Sequence, residues 1–408
     1  MYGSSDAPRD LASLVIASVG KLKETGDYLE PWEVLDENGV RRAEVSVFFR
    51  DLRAAGRQSS TLRSYGADLL RWFRFLHAID VRWDRVTRAE ARDFCCWLGM
   101  TSKPRKRGRP FTAVNEVTGR PSPGEHYADS TRAHTETVLR HFYDIHIDFG
   151  TGPIINPFPL DRSRRGGRAN AHGNPLAPFE QARVGLYRPR VVTTVPKAIP
   201  DEWFNQLFAR LPSDRDRAMV AFWVSTGARA SELLGIRQGD VDPGEQLIGV
   251  IRKGTREYQR LPASPDSFVW LRLYQEGLGK HAPRGKGKPV WWTIRGEARP
   301  LTYHAAYRMF ERVNTMLGSN WTLHDLRHTA AHRMARDPEM PLTDVQWVLG
   351  HRYLSTTQIY LNPTTEEVIT SVRAFHARQG QLKQAAAPSA ANEYNQASLA
   401  TLFTGRPL

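Results

Sequence analysis

A chain of 408 residues with a formal net charge of +14 has room for two or three domains and calls for a polyanionic partner, either nucleic acid or an acidic membrane surface. It has no run of ~18 consecutive apolar residues and no basic segment leading into a sustained apolar one, which argues against a membrane partner; a soluble protein of the cytoplasm, associated with the nucleoid, is expected. The two cysteines, Cys95 and Cys96, are neighbours and cannot make a disulfide framework or a four-ligand zinc site, so they read as small buried hydrophobes.

In chain order, residues 1–43 are a mixed N-terminal extension with one apolar helical patch, Leu11–Val19. Residues 44–157 read as a helical domain. Val45, Phe48, Phe49 and Leu52 share one helix, and Ser60 and Thr61 offer the N-cap of a second that carries Leu69, Trp72, Phe73 and Leu76 at three- and four-residue spacing. A third helix opens at Arg88, and a fourth runs from Ser130 to Ile147 with Val138, Leu139, Phe142, Tyr143 and Ile145 on its apolar side. The aromatic stripes predict core rather than base-stacking platforms. Between the third and fourth helices lies a basic loop, 102–122, in which Lys103, Arg105, Lys106, Arg107 and Arg109 are interrupted by Pro104, Gly108 and Pro110. Its Arg-Gly-Arg-Pro centre resembles an AT-hook, a segment that seats arginines in a narrow minor groove; contact with phosphates alone is the other reading. Residues 158–199, rich in proline and carrying Arg164 and Arg165, read as a basic linker, either a hinge that lets two units close around a duplex or an ordinary solvated connector.

A second domain spans residues 200–375, with Asp201 starting its first helix. The apolar run Ala218–Val224 fits a buried helix that Gly227 ends, which leaves Arg229 at the start of the next helix with Glu232 one turn on. An arginine among free helix-start amides makes a phosphate clamp; a surface Arg–Glu pair is the plainer reading. Gln246–Val250 and Glu257–Pro262 alternate as two strands around Arg252–Arg256, so Lys253 projects from a turn where it would protonate a leaving oxygen or simply face solvent. A helix from Leu271 to Leu278, a strand near Pro289–Ile294 and a helix from Thr302 to Leu317 follow. His324, Arg327 and His328, spaced three and four apart, then share one helical face. Val345, Val348 and Leu349 mark another helix, ended by Gly350, with His351 just beyond and Tyr360 in a second short helix. A phenol, imidazoles and a guanidinium brought together suit a phosphodiester, with donors for the non-bridging oxygens and an oxygen nucleophile. Residues 376–408 form a tail whose apolar patch, Leu399–Phe403, either docks on a neighbouring protomer or stays disordered.

Thr226-Gly227-x-Arg229-x-x-Glu232-Leu233, His324-x-x-Arg327-His328, Leu349-Gly350-His351 and Thr-Thr-Gln-Ile-Tyr360 together resemble the active-site motifs of the tyrosine recombinases, the phage-integrase-like family. The resemblance implies a mainly α fold with a small β-sheet: an N-terminal helical core-binding domain joined to an α+β catalytic domain. It implies that Tyr360 attacks the scissile phosphate to give a 3′-phosphotyrosyl enzyme while Arg229, Arg327, His324 and His351 stabilise the developing charge. Lys253 would protonate the 5′-oxygen, with Glu232 and His328 in support. Neither a cofactor nor a metal is implied. The implied partners are double-stranded DNA recombination sites, three further copies in a homotetramer on DNA that passes through a Holliday junction, and an accessory directionality factor; integration or excision of a mobile element is the implied use.

Three rival readings exist. His324, His328 and His332 recur every four residues and offer ligands of a zinc hydrolase, although Arg327 on the same face would repel a cation. A DNA-binding protein of this fold without catalysis is the second. A type IB topoisomerase, which uses the same phosphotyrosine, is the third.

Overall fold

In the computed structural model the described residues are 9–103, 114–120, 124–161, 184–191, 198–361 and 365–385. Two compact units divide the chain: Met1–Asn115 with Gly119–Thr193, and Thr194–Leu408 with Glu116–Thr118. Helices dominate both, and no described helix is long and apolar enough to cross a membrane.

The first unit starts with an antiparallel hairpin, β1 (Lys21–Glu24) and β2 (Trp32–Leu35), in the register Lys21↔Leu35 to Glu24↔Trp32. This corrects the reading of the extension. Leu11–Val19 is not helical; Leu14 and Ile16 pack against the aromatic core, and Arg74 donates to the carbonyls of Val19 and Gly20 at 2.7 and 3.0 Å. Backbone carbonyls held by an arginine satisfy the segment without a helix. Four helices follow: α1 (Ala43–Ala54), α2 (Ser59–Ala78), α3 (Arg88–Met100) and α4 (Asp129–Asp148). The expected Ser60/Thr61 cap is absent; α2 begins at Ser59, with Gln58 at the cap position and no side-chain cap. At α3, Thr87 and Glu90 form a capping box. The apolar stripes are core: Phe48, Trp72, Phe75, Phe94, Phe142 and Tyr143 are fully buried, and Trp72 Nε1 donates to the Tyr143 hydroxyl at 2.9 Å. Cys95 is half-buried, and burial pushes its thiol up to about 12, whereas Cys96 is exposed rather than buried as expected.

The expected linker is partly absorbed into the units. Phe158 is fully buried and Tyr187 packs against the first core, with a bridge between Leu160 and Gly185. Ile199 belongs to the second core, its N–H donating to Thr329 Oγ1 at 2.9 Å. Residues 162–183 and 192–197 lie outside the described residues.

The second unit is built on α6 (Asp214–Thr226), whose apolar stretch Ala218–Trp223 is buried on every side and therefore runs through the centre of its core. Around it stand α5 (Asp201–Ala209), α7 (Ala230–Leu234), α8 (Pro265–Leu278), α9 (Tyr303–Leu317) and α10 (Leu323–Ala335). An antiparallel sheet has the order β3 (Val241–Asp242), β4 (Leu247–Ile251), β5 (Tyr258–Pro262). No strand forms at Pro289–Ile294; isolated bridges join Arg237 to Pro289 and Trp292 to Pro300, while Trp291 is buried with its Nε1 on the Leu233 carbonyl at 2.8 Å. The chain continues through α11 (Leu342–Leu349), α12 (Leu354–Gln358) and α13 (Thr365–Ala385). Ala331, Ala335, Val345, Leu349 and Tyr360 form a smaller cluster.

Candidate active site

Three chain reversals bring the catalytic candidates together. The first is at Gly227, which ends α6 in the left-handed region at φ 61°. A Cβ there would stand 2.7 Å from Leu349 Cδ2, so only glycine lets the turn approach α11 this closely. Its carbonyl accepts from Arg327 Nη1 at 2.7 Å. Two residues on, Arg229 caps α7, and the Glu232 carboxylate accepts both its backbone N–H and its Nη1 at 2.9 Å.

The second reversal is the β4–β5 turn. Along β4, Ile248 and Val250 face the core, and the same alternation turns Arg252 inward and Lys253 outward. Arg252 is buried and donates to Glu232 Oε2 at 3.2 Å, to Gln259 Oε1 at 2.6 Å and to the Val348 carbonyl. The Lys253 N–H donates to Glu232 Oε1 at 2.9 Å, while its side chain is exposed. Glu232 is thus the anion that fixes Arg229, Arg252 and the backbone of Lys253 together. Burial favours its neutral form, but those hydrogen bonds and the Arg229 charge outweigh burial and hold it below the usual carboxylate value.

The third reversal is Gly350, at φ 62° after α11, which delivers His351. Arg327, on α10 and 2% exposed, donates through Nη2 to the Leu349 carbonyl at 2.7 Å and to His351 Nε2 at 3.0 Å. A guanidinium can only donate, so Nε2 is the acceptor and the His351 proton sits on Nδ1, which donates to Thr357 Oγ1 at 2.9 Å. Burial, then the charges of Arg327 and Arg229, push His351 down to about 4, and burial lowers Arg327 to about 10. Near neutral pH the pair is a neutral imidazole held by a charged guanidinium.

Tyr360 lies two residues past α12, not inside it, in a turn closed by its N–H on the Thr357 carbonyl at 3.1 Å. Its ring is buried and stacks on His351 at 6.3 Å and 10°. The hydroxyl lies 2.9 Å from His328 Nδ1. Burial raises its pKa, and Arg327 and Arg229 pull it back. His324 keeps an edge in solvent, edge-on to His328 at 4.3 Å between ring centres, and the groups crowded around its ring, then the charge of Arg327, lower its pKa. Arg229, Glu232, Arg327, His328, His351 and Tyr360 are therefore connected or adjacent; Lys253 joins them through its backbone and lines one cleft with Arg252, Gln259, Trp347, His351 and Arg352. Sequence reasoning missed Arg252 and Thr357. Strand parity would have found the first, and the second sits inside the quoted Tyr360 motif. Three guanidiniums against one carboxylate leave an excess of two positive charges for a phosphodiester.

Of the DNA-contact candidates, Lys103 is described: its N–H donates to the Glu125 carbonyl at 2.9 Å and its Nζ to the Gly124 carbonyl at 3.2 Å. Arg105, Lys106, Arg107, Arg109, Arg164 and Arg165 lie outside the described residues. Among the described residues no three His, Cys, Asp or Glu side chains are gathered to hold one ion.

Residues 202–367 match the Phage integrase family. The chain is 29% identical over 203 residues to tyrosine recombinase XerC of Corynebacterium efficiens, covering 47% of this chain and 63% of that protein. It is 30% identical over 167 residues to tyrosine recombinase XerD of Lacticaseibacillus casei, covering 40% and 56%. The chain thus spans less than two thirds of the length of these relatives. Among solved structures it is similar to the Tn1549 transposon integrase in complex with circular intermediate DNA, with a TM-score of 0.54 and 14% identity over 81% of this chain and 98% of that one. A lambda integrase dimer bound to a COC′ core site gives a TM-score of 0.52 and 15% identity over 78% and 76%. The second unit is thus similar to the Phage integrase family over residues 202–367, and the chain shares the fold of these integrase structures.

Proposed function

We propose that the chain is a site-specific DNA recombinase that cuts and rejoins strands through a 3′-phosphotyrosyl intermediate on Tyr360. The observation that carries this reading is the Tyr360 hydroxyl, 2.9 Å from His328 and stacked on the His351 that Arg327 holds. In the step proposed, the phenolic oxygen bonds to phosphorus as the bond from phosphorus to the 5′-oxygen breaks. The phenolic proton passes to His328 Nδ1, and Lys253 gives a proton to the departing 5′-oxygen. Arg229 and Arg327, with His324 and His351, meet the charge that builds on the non-bridging oxygens. Because the phosphotyrosyl bond keeps the phosphodiester energy, rejoining by the 5′-hydroxyl of another strand needs no nucleotide.

In this reading residues 44–157 are a core-binding domain, 200–375 the catalytic domain, and four copies exchange strands in pairs at two DNA sites. The two sites border a mobile element, and a directionality factor selects between integration and excision. Supporting it are the similarity to the tyrosine recombinases XerC and XerD and the DNA held by the integrase structures of like fold. The test is a plasmid carrying two candidate sites from the flanking DNA, incubated with the protein in EDTA. Deletion or inversion between the sites, with four-way junctions trapped on the way, is expected. Relaxation of any supercoiled plasmid without exchange would replace the recombinase with a topoisomerase.

A further inference from the structure

The second unit holds another concentration of positive charge outside the Tyr360 cluster. Between Glu276 and Glu297 there is no acidic residue, and Lys280, Arg284, Lys286 and Lys288 fall in the loop 279–288 that follows α8. All four are exposed. The flanking acids are engaged elsewhere, Glu276 with Arg272 at 2.8 Å and Glu297 with Arg299 at 3.9 Å. Arg284 Nη2 donates to the Gly279 carbonyl at 3.3 Å, and among the described residues none of the four cations is paired with a carboxylate.

A glycine- and proline-rich loop of like charges would ordinarily spread its conformations. This one is pinned. The Gln238 N–H donates to the Lys288 carbonyl at 2.8 Å and the Gly239 N–H to the Lys286 carbonyl at 2.9 Å. The Gln238 side chain gives both amide protons to the loop, at 3.2 Å to the carbonyls of Pro283 and Pro289, and accepts the Gly285 N–H at 3.0 Å. Arg237 Nη1 donates to the Gly287 carbonyl at 2.6 Å. The loop's carbonyls are thus turned in on the 3-10 turn Gln238–Asp240, which fixes the backbone that carries the four unpaired cations. An array ordered before binding loses less entropy when it meets a row of anions.

Its position is bounded by the chain. Five residues of α7 at about 1.5 Å each and four more at no more than about 3.6 Å put Gln238 within about 25 Å of Arg229. That is less than one turn of duplex, about 34 Å. We propose that the 279–288 loop is a clamp on the phosphate backbone of duplex DNA beside the reacting phosphate, contacting non-bridging oxygens without reading bases. The inference rests on the recombinase reading of the Tyr360 site.

The test compares the full chain with the variant Lys280→Gln, Arg284→Gln, Lys286→Gln, Lys288→Gln. Both are titrated with a fluorescent duplex carrying the candidate site, nicked to trap covalent product, from about 50 to about 200 mM salt. The slope of log K against log salt is expected to flatten by about 0.9 for each lost contact, with the covalent yield at saturating duplex unchanged. An unchanged slope while wild type still forms the covalent complex overturns the clamp and leaves the recombinase reading standing. Equal flattening on a single strand of the same length overturns the duplex assignment. A wild type that binds the duplex but never links to it overturns the recombinase reading instead.

Discussion

Arg327 has five N–H donors, and three are engaged by Gly227, Leu349 and His351, which leaves Nε–H and one Nη1–H for a phosphate. His351 answers this arrangement by staying neutral. Its ordinary pKa near 6.5 falls to about 4 through burial, so below pH 6.5 the unfolded chain takes up a proton that the native chain refuses until about pH 4. Stability of the second unit is expected to fall as pH drops through that window, with no contribution from His351 above it. His351→Gln should reduce the fall, leaving the share of His324; urea midpoints at pH 7 and 4.5 with the same difference in both proteins would contradict this. His328, placed on the Tyr360 hydroxyl, gives a kinetic prediction. His328→Phe should slow covalent complex formation by about 10²–10⁴ while DNA affinity holds, and an unchanged single-turnover rate would remove His328 from proton transfer.

At the scale of elements, Glu232 ties the start of α7 to the β4–β5 turn. Replacing it with Gln leaves the buried Arg252 without its counter-ion, and the second unit should lose about 3–5 kcal/mol in urea unfolding, against under 1 if the pair were incidental. In the first unit, buried Asp68 on α2 accepts from Thr135 and Arg71 at 2.7 Å and pairs with exposed His134 of α4 at 2.8 Å. That hydrogen bond raises the His134 pKa, so its stabilisation is present below about pH 6.5 and lost as pH rises through the raised value. His134→Ala should flatten this upper-range decline of the first unit's unfolding transition; an identical pH profile would contradict it. Much of this was legible in the sequence, because helix periodicity and the Gly227 and Gly350 stops depend on local chemistry. The inward turn of Arg252 was legible too, because it continues the strand parity of Ile248 and Val250, which turns Lys253 outward. The β1–β2 hairpin was not, since Lys21–Glu24 carries one apolar side chain, Leu22, and owes its form to pairing with β2 and contact with the core. The link from His328 to Tyr360 was also hidden: it spans thirty-two positions (360 − 328), and only the folded cluster of α10, α11 and the turn after α12 sets it.

For the whole molecule, the +14 charge is concentrated with purpose. An excess of two positive charges surrounds the Tyr360 site, four more cations sit on the pinned 279–288 loop, and further basic runs occupy 103–109 and 162–168. Such a distribution favours a long polyanion over a small anionic metabolite, because it offers many phosphate contacts and one reacting centre. In the proposed reaction Tyr360 becomes covalently joined to DNA. Wild type and Tyr360→Phe would be incubated in EDTA with a nicked duplex bearing the candidate site and resolved on denaturing gels. A protein–DNA band with wild type alone, in which the peptide carrying Tyr360 holds the 3′-phosphate, is the expected result. A duplex that wild type binds without any covalent band, or a band that survives Tyr360→Phe, would contradict it.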